Sequence, residues 1–597
     1  MNIDKILKDA KQSYQAHGGS TTTVGGKRKR EDDDDNDKPS MDGEGKQAKI
    51  MKMLEEADEI EELDAARLRM LVQNFSKAIE KNVERRMKFA DEPAKFMDSE
   101  VKVHTLLQEL HGVAAAPELF PDFVRLKAVE PMLTLISHEN TDISIEVVDL
   151  LKELTEPDMV SEEGQNAEIL LDELVKHRMI RLLVANLDRF DETQEEDKQA
   201  VHNTLGIFEN LMEYAPEVAA IKLSTETKIM DWLLKRLRRG KFDENQLYSS
   251  EILSMILIST PRASKSLADL GGLKKLVRAV AAYRKRDPTS LDEVEFVENL
   301  FNGICSTLSE KKNQLAFAAA DGLQLMVTMI RKKRYTQAAA LKVLNYAITE
   351  SKSSCEKLID AQGLKAVFKA FMGRGKVTKK MRKELEATEE HILHCIVQLF
   401  IHLSDIRYLR LLNKFQENGY EKIERLIELH EKYFQRLEDS EMAWKKSHPN
   451  QTEDEDERYV RRLDSGLFCL QLCAFIIALI TTAGDEGIRE RVIQLLNQQD
   501  SSLKVVRESL EEYAHNFSTD KRGKKMKQIL ENIIIILKGG ENKPEGLTDI
   551  KEGSPSQSKN PEPDDDEAPP APPPPPPPQQ GKPDREEGGD ELDEGDL

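Results

Sequence analysis

At 597 residues the chain could hold several ordinary domains, yet its five cysteines are too few and too odd in number for a disulfide-stapled scaffold. A formal net charge of −22 argues against broad coating of nucleic acid, which depends on neutralising phosphates. The charge is uneven, since residues 551–597 carry 14 acidic and 4 basic side chains and so supply −10 by themselves.

In chain order, residues 1–10 read as an amphipathic turn or two with Ile3, Ile6 and Leu7 on one side. No charged-then-apolar secretory leader opens the sequence, and a reducing compartment is expected. Residues 17–48 combine Gly pairs, Thr21–Thr23, a basic run and an acidic run, a composition that cannot bury a core. Within them Lys27, Arg28, Lys29 and Arg30 stand between Gly26 and the run Glu31–Asp35. Four consecutive cations without apolar neighbours read as a nuclear-import signal; the bland alternative is a charge run that offsets the aspartates. Residues 1–48 are thus a disordered arm carrying that signal. Helical periodicity starts near Lys49, and 49–100 reads as a polar-faced helical cap hiding the end of an array.

The array itself shows as a recurring pair of apolar anchors, Val129/Met132, Met179/Leu182, Ile229/Trp232, Leu273/Leu276, Leu323/Met326 and Leu364/Val367. Successive anchors lie 50, 50, 44, 50 and 41 residues apart. With aromatics at only 5% and no sustained strand alternation, this pitch signals an all-α armadillo or HEAT-type superhelical solenoid. A second apolar helix recurs in each unit, as in Val147 to Leu154 and Leu205 to Tyr214. Gly271-Gly272, Asp321-Gly322 and Gln362-Gly363 precede three anchors, where glycine is expected to supply left-handed backbone at a sharp inter-helix turn. Pro157, Pro216 and Pro261 punctuate other helix ends. The repeats are assigned to 101–375.

Beyond Gly375 the pitch changes. An apolar helix, Ile392 to Leu403, a long polar helical stretch, Asn413 to Trp444, and two apolar segments near Leu467–Ile480 and Ile529–Leu537 read as a separate C-terminal helical unit, 376–540. The apolar run Leu467 to Ala483 is read as a buried core helix rather than a membrane span, because Gln471 interrupts it. Residues 541–597 form a disordered acidic tail; 551–597 hold 13 of the 24 prolines, which favours polyproline II.

Motifs for chemistry are weak. Gly373-Arg374-Gly375-Lys376 lacks the first glycine of a phosphate loop and has Val377 where Ser or Thr belongs. His391, His394, Cys395 and His402 share one helix, which rarely supplies a full zinc set, so packed or surface histidines are expected and no metal. Cys469 and Cys473 read as small buried residues. No catalytic residue, cofactor or enzymatic activity is assigned. Cations cluster at anchor-helix ends, and Arg236, Arg238, Arg286 and Arg334 are the candidates for a basic ridge, against plain compensation of helix dipoles. Acidic runs hold Glu162, Glu163, Asp172, Glu173, Asp188 and Asp191, chosen on charge alone as candidates for holding a basic peptide.

The order of parts, with Asn74-Phe75-Ser76-Lys77, Leu119-Phe120-Pro121-Asp122-Phe123-Val124, Glu209-Asn210-Leu211-Met212, Leu253-Ser254-Met255-Ile256-Leu257 and Ala318-Ala319-Ala320-Asp321-Gly322, resembles the beta-catenin-like family of nuclear armadillo proteins. The resemblance covers roughly residues 1–540; the Pro-rich acidic end falls outside it. It implies a non-enzymatic nuclear scaffold of pre-mRNA splicing, associated with the NineTeen complex, that binds basic localisation-type segments of splicing proteins and, in vertebrates, a cytidine deaminase. Importin-type grooves grip such segments with ladders of Trp and Asn, whereas this chain has only Trp232 and Trp444, so carboxylates must do more. A transport adaptor and a direct RNA-binding solenoid are the alternatives. Homodimerisation stays open, and no membrane partner is expected.

Overall fold

The computed structural model describes residues 63–157, 164–237, 242–373, 388–449, 451–517 and 520–539. Lys27, Arg28, Lys29, Arg30, Glu162, Glu163, Arg238 and the tail from 541 lie outside the described residues. Every regular element described is a helix, and the architecture is an all-α solenoid.

The stack opens with α1 (Ala65–Lys88), started by Asp64, whose carboxylate accepts the Arg67 N–H at 2.7 Å and satisfies one free amide of the first turn. Its stripe of Leu68, Leu71, Val72 and Phe75 packs on α2 (Met97–Leu110). Short helices α3 (Phe120–Arg125) and α4 (Val129–Thr134) lead into α5 (Thr141–Leu154). A three-helix unit then recurs, two shorter helices followed by a third that stacks on its predecessor. The units are α6 (Gly164–Lys176), α7 (Met179–Asn186) and α8 (Glu195–Tyr214); then α9 (Pro216–Glu226), α10 (Ile229–Arg236) and α11 (Glu244–Ser259). They continue with α12 (Pro261–Asp269), α13 (Gly272–Val280) and α14 (Leu291–Thr307), and with α15 (Lys311–Ala319), α16 (Gly322–Lys332) and α17 (Gln337–Ile348). The last such set is α18 (Lys352–Asp360), α19 (Gly363–Phe371) and α20 (Glu389–His402).

The third helices form one continuous layer, α2 on α5, α5 on α8, and so on through α11, α14 and α17 to α20. The shorter helices make a second layer, with α9 on α12 and α16 on α19. Burying each unit's apolar face against its neighbours gives one core without large domains. The anchors sit on the middle helix of each unit, and most are fully buried. In α7 and α10 the second anchor, Leu182 or Trp232, is only partly buried, and the core position passes to Leu183 or Leu233 one residue on.

Two details differ from the sequence reading. The left-handed residue before α16 is Asp321 (φ 57°), not the glycine after it. Gly322 is needed for space instead, because a Cβ there would lie 2.5 Å from the ring of Phe317. Pro216 and Pro261 do not merely end helices; each opens the first turn of the next, where its missing N–H costs nothing.

Packing runs on past residue 375. α20 packs on α17 on one side and on α23 (Leu467–Ala483) on the other. Phe415, on α21 (Asp405–Ser447), has its ring centre 5.4 Å from Phe368 of α19 and 5.9 Å from Phe400 of α20. What changes at this point is the form of the unit. The polar stretch expected as one helix is broken at Glu417–Tyr420, with positive φ at Asn418, Gly419 and Tyr420. α22 (Glu455–Asp464) leads into α23, after which α24 (Glu486–Gln498), α25 (Leu503–His515) and α26 (Lys521–Gly539) close the described residues. α23 is buried along nearly its whole length, and no single described helix is long and apolar enough to cross a membrane.

Candidate functional site

The long-helix layer brings single carboxylates from neighbouring units into electrostatic reach of one another. Glu156 follows α5, Glu209 lies on α8, Glu251 on α11 and Glu295 on α14. On α8, His202, Gly206, Glu209 and Glu213 recur at helical steps of three and four and so share one stripe. Gly206 keeps that stripe shallow, since a Cβ there would come within 3.2 Å of both the Lys152 side chain and the Tyr248 hydroxyl. Tyr248 on α11 stands against the His202 ring, 4.9 Å between centres, and donates its hydroxyl to Glu209.

The electrostatics follow from this crowding. Burial first, then repulsion by Glu209 and Glu295, pushes the Glu251 carboxyl up to about 7. Burial and Glu209 likewise push the Tyr248 phenol far above its ordinary value, so it stays a donor. Amides tie the layer together: Asn203 Nδ2 donates to Asp149 Oδ1 at 2.6 Å, and Asn299 Nδ2 to Ser250 Oγ at 3.3 Å. At the head of the line His111, just after α2, sits 2.6 Å from Glu153 and 3.2 Å from Glu146. At the far end Asn345 of α17 meets His394 at 2.7 Å and His391 at 3.2 Å, and burial pushes both imidazoles down to about 4.

Those histidines are therefore packing groups held neutral, and Cys395 completes the same buried network at 3.9 Å from Asn345. Among the described residues no group of three or more His, Cys, Asp or Glu is arranged to hold a metal ion. All five cysteines are buried, and burial pushes the thiols of Cys305, Cys355 and Cys469 up to about 12.

The acidic residues singled out in the sequence fall elsewhere. Asp172 and Glu173 lie on α6, in the shorter-helix layer, and Glu173 is engaged by Lys176 at 2.7 Å and His177 at 3.0 Å. Asp191 accepts from Thr193 Oγ1 at 2.8 Å, closing a local turn, and Asp188 is exposed just past α7. The ridge cations are tied down by carboxylates. Arg236 contacts Glu192 at 2.6 Å and Asp243 at 3.3 Å, Arg286 contacts Glu293 at 2.6 Å, and Arg334 contacts Asp287 at 3.2 Å. Arg236 at the end of α10 and Glu293 in the first turn of α14 are thereby tied to the segments between helices, and Arg334 joins two such segments. The line Glu156, Glu209, Glu251, Glu295 escaped the sequence reading because its members occur singly. A signal was present: they are 53, 42 and 44 residues apart, close to the pitch of the anchors.

Such a line can do one thing well. Partly exposed carboxylates that repel one another gain when a cation comes between them, and helices packed about 10 Å apart match every third side chain of a peptide in polyproline II conformation, which returns to one face about every 9 Å.

Residues 48–511 match the model of a family described as "Catenin-beta-like, Arm-motif containing nuclear". Beta-catenin-like protein 1 of Rattus norvegicus is 40% identical over 465 residues, covering 76% of this chain and 82% of its own. The Homo sapiens protein of that name is 39% identical over 483 residues, covering 78% and 85% respectively. A homolog from Schizosaccharomyces pombe is 29% identical over 477 residues, covering 78% and 82%. The chain belongs to the catenin-beta-like family of nuclear armadillo-motif proteins.

Proposed function

We propose that this chain is a non-enzymatic nuclear scaffold of pre-mRNA splicing, associated with the NineTeen complex, that holds basic localisation-type segments of splicing proteins on its long-helix layer. The observation that carries the proposal is the line of Glu156, Glu209, Glu251 and Glu295, one carboxylate per successive unit. The splicing setting rests on the family resemblance, and the nuclear setting on the family's description. Recognition by charge rather than by aromatic shelves is supported by the two tryptophans. Trp232 lies on α10, outside the long-helix layer, with Arg236 5.9 Å from its ring. Trp444 stacks on His448 at 4.9 Å.

The test is affinity purification of the tagged full chain from nuclear extract, with and without excess of a synthetic Lys/Arg-rich peptide. Recovery of NineTeen components that the peptide displaces is the expected result. Recovery that the peptide leaves untouched, or that ribonuclease abolishes, would overturn the reading in favour of another surface or of RNA. Separately, alanine at Lys27, Arg28, Lys29 and Arg30 should leave the protein cytoplasmic.

A further inference from the structure

We propose that the groove between α21 and α25 is a docking site for a short amphipathic helix of a partner, one whose apolar stripe is bordered on both sides by Lys or Arg. The groove shares no residue with the carboxylate line.

Three observations carry it. The first is a gap in the packing. α21 and α25 both pack along α23, which forms the floor between them. On α21 the positions 434, 437/438, 441/442 and 445 recur one turn apart and line the gap as a single stripe. Val505, Glu508, Ser509 and Glu512 do the same on α25. The two stripes stand over Leu470 of α23 and enclose a hollow of about 470 Å³. From Phe434 to Lys445 it runs about 16 Å, at about 1.5 Å per residue, which is the length of three helical turns.

The second is the apolar surface left uncovered. Leu437 and Leu470 are buried floor residues, Phe434 and Val505 are partly buried above them, and Met442 is 58% exposed. A flexible thioether at the mouth of an apolar groove adapts to the side chain it receives. A helix laying its apolar face here covers that surface, the helix-in-groove mode of recognition.

The third is charge. The lining holds four carboxylates, Glu438, Glu441, Glu508 and Glu512, against two cations, Lys445 and Arg462. The inner carboxylates are satisfied: Arg462 contacts Glu441 at 3.3 Å and Glu512 at 3.0 Å, so it ties α21 to α25 and holds the groove's width. The outer ones are not. Among the described residues no cation pairs with Glu438, and Glu508 meets only Lys504, at 3.8 Å between exposed side chains. So loose a surface pair contributes little, which leaves both carboxylates available to cations of a docked helix. Glu438 stands on one side of the groove and Glu508 on the other, and this selects cations on both borders of the apolar stripe. A second copy of this chain, with its net charge of −22, is the poorer complement.

Trp444 lies two residues beyond Met442 on α21, so in a full-length chain carrying Trp232→Phe its fluorescence reads occupancy of this groove. The probe is a synthetic helical peptide of about four turns, without Trp, with Leu one turn apart and Lys and Arg on both borders of that stripe. Two comparison peptides scramble its order or replace its cations by Glu. The helical basic peptide should change the Trp444 signal saturably, and Glu438→Lys with Glu508→Lys should weaken it at least about tenfold. Met442→Asp, at an exposed position outside the core, should weaken it to a similar degree. Glu209→Lys, Glu251→Lys and Glu295→Lys together should leave the Trp444 titration unchanged, which separates this groove from the carboxylate line. No saturable change, equal binding of the scrambled peptide, or unchanged affinity in the Glu438/Glu508 variant overturns the proposal. Equal binding of the Glu peptide overturns the partner's chemistry. Self-association of the unliganded chain that Glu438→Lys abolishes, read by sedimentation, assigns the groove to a second copy and overturns a separate partner.

Discussion

Tyr248 of α11 donates its hydroxyl to Glu209 of α8 across the seam between two stacked helices, which fixes one carboxylate of the line and leaves Glu251, three residues further along α11, to carry the repulsion. Tyr248→Phe keeps the ring against His202 and removes only the donor. It should cost about 1.5–3 kcal/mol of stability, the usual worth of a hydrogen bond to a charged acceptor. It should also weaken a basic peptide several-fold, because Glu209 loses its fixed position. Thermal unfolding and peptide titration read the two effects; a change in stability with no change in affinity would remove Tyr248 from the site.

Glu251 gives a pH signature. Its folded-state value, about 7, lies above its ordinary 4.5. Its contribution therefore favours folding below pH 4.5 and is lost as pH rises through 7. Glu251→Gln should match the wild type near pH 5 and be more stable at pH 8, by about 1–2 kcal/mol once screening of a partly exposed group is allowed for. Peptide affinity in the wild type should rise from pH 6 to pH 8 as the carboxylate ionises, and the variant should flatten that rise. A stability difference equal at both pH values would contradict the assignment.

Asp321 and Gly322 separate two backbone effects. Gly322→Ala puts a methyl 2.5 Å from the Phe317 ring and should lower stability by about 1–3 kcal/mol through overpacking. Asp321→Gly relieves a left-handed residue and should leave stability unchanged or raise it by up to about 1 kcal/mol. Denaturant midpoints measure both, and a loss at Asp321→Gly equal to that at Gly322→Ala would show that φ, not space, governs the turn.

The arginines at the ends of α10, after α13 and after α16 act as ties between segments. Arg236→Ala should leave Glu192 and Asp243 facing each other and cost about 1–2 kcal/mol, since removing one partner strands partly buried charge. Filter retention of single-stranded RNA should not change. A loss of RNA retention without loss of stability would restore a basic ridge.

The scaffold was legible because its signal is repeated: apolar anchors recur at a pitch that only stacked helices explain, and the same anchors are found buried. The separate C-terminal unit read from the end of that pitch is harder to see in the fold, since Phe415 packs directly on Phe368 and Phe400 and joins the later helices to the array. The site was not legible by charge density. Dense acidic runs such as the one holding Asp188 and Asp191 serve turns and surface, while the carboxylates that converge are isolated in sequence and meet only when helices some 40–50 residues apart are stacked. The pairing of the arginines was illegible for the same reason: Arg236 finds Glu192, 44 residues earlier, by tertiary packing.

Calorimetric titration of the full-length chain with a Lys/Arg-rich peptide in low and high salt, before and after Glu209→Lys, Glu251→Lys and Glu295→Lys together, measures most directly whether the carboxylate line binds cations. Salt-sensitive binding to the parent and at least about a hundredfold loss in the triple variant are the expected results, since opposite charges facing a ligand become like charges. Equal peptide affinity in parent and triple variant, with circular dichroism showing both folded, would contradict cation binding by that line.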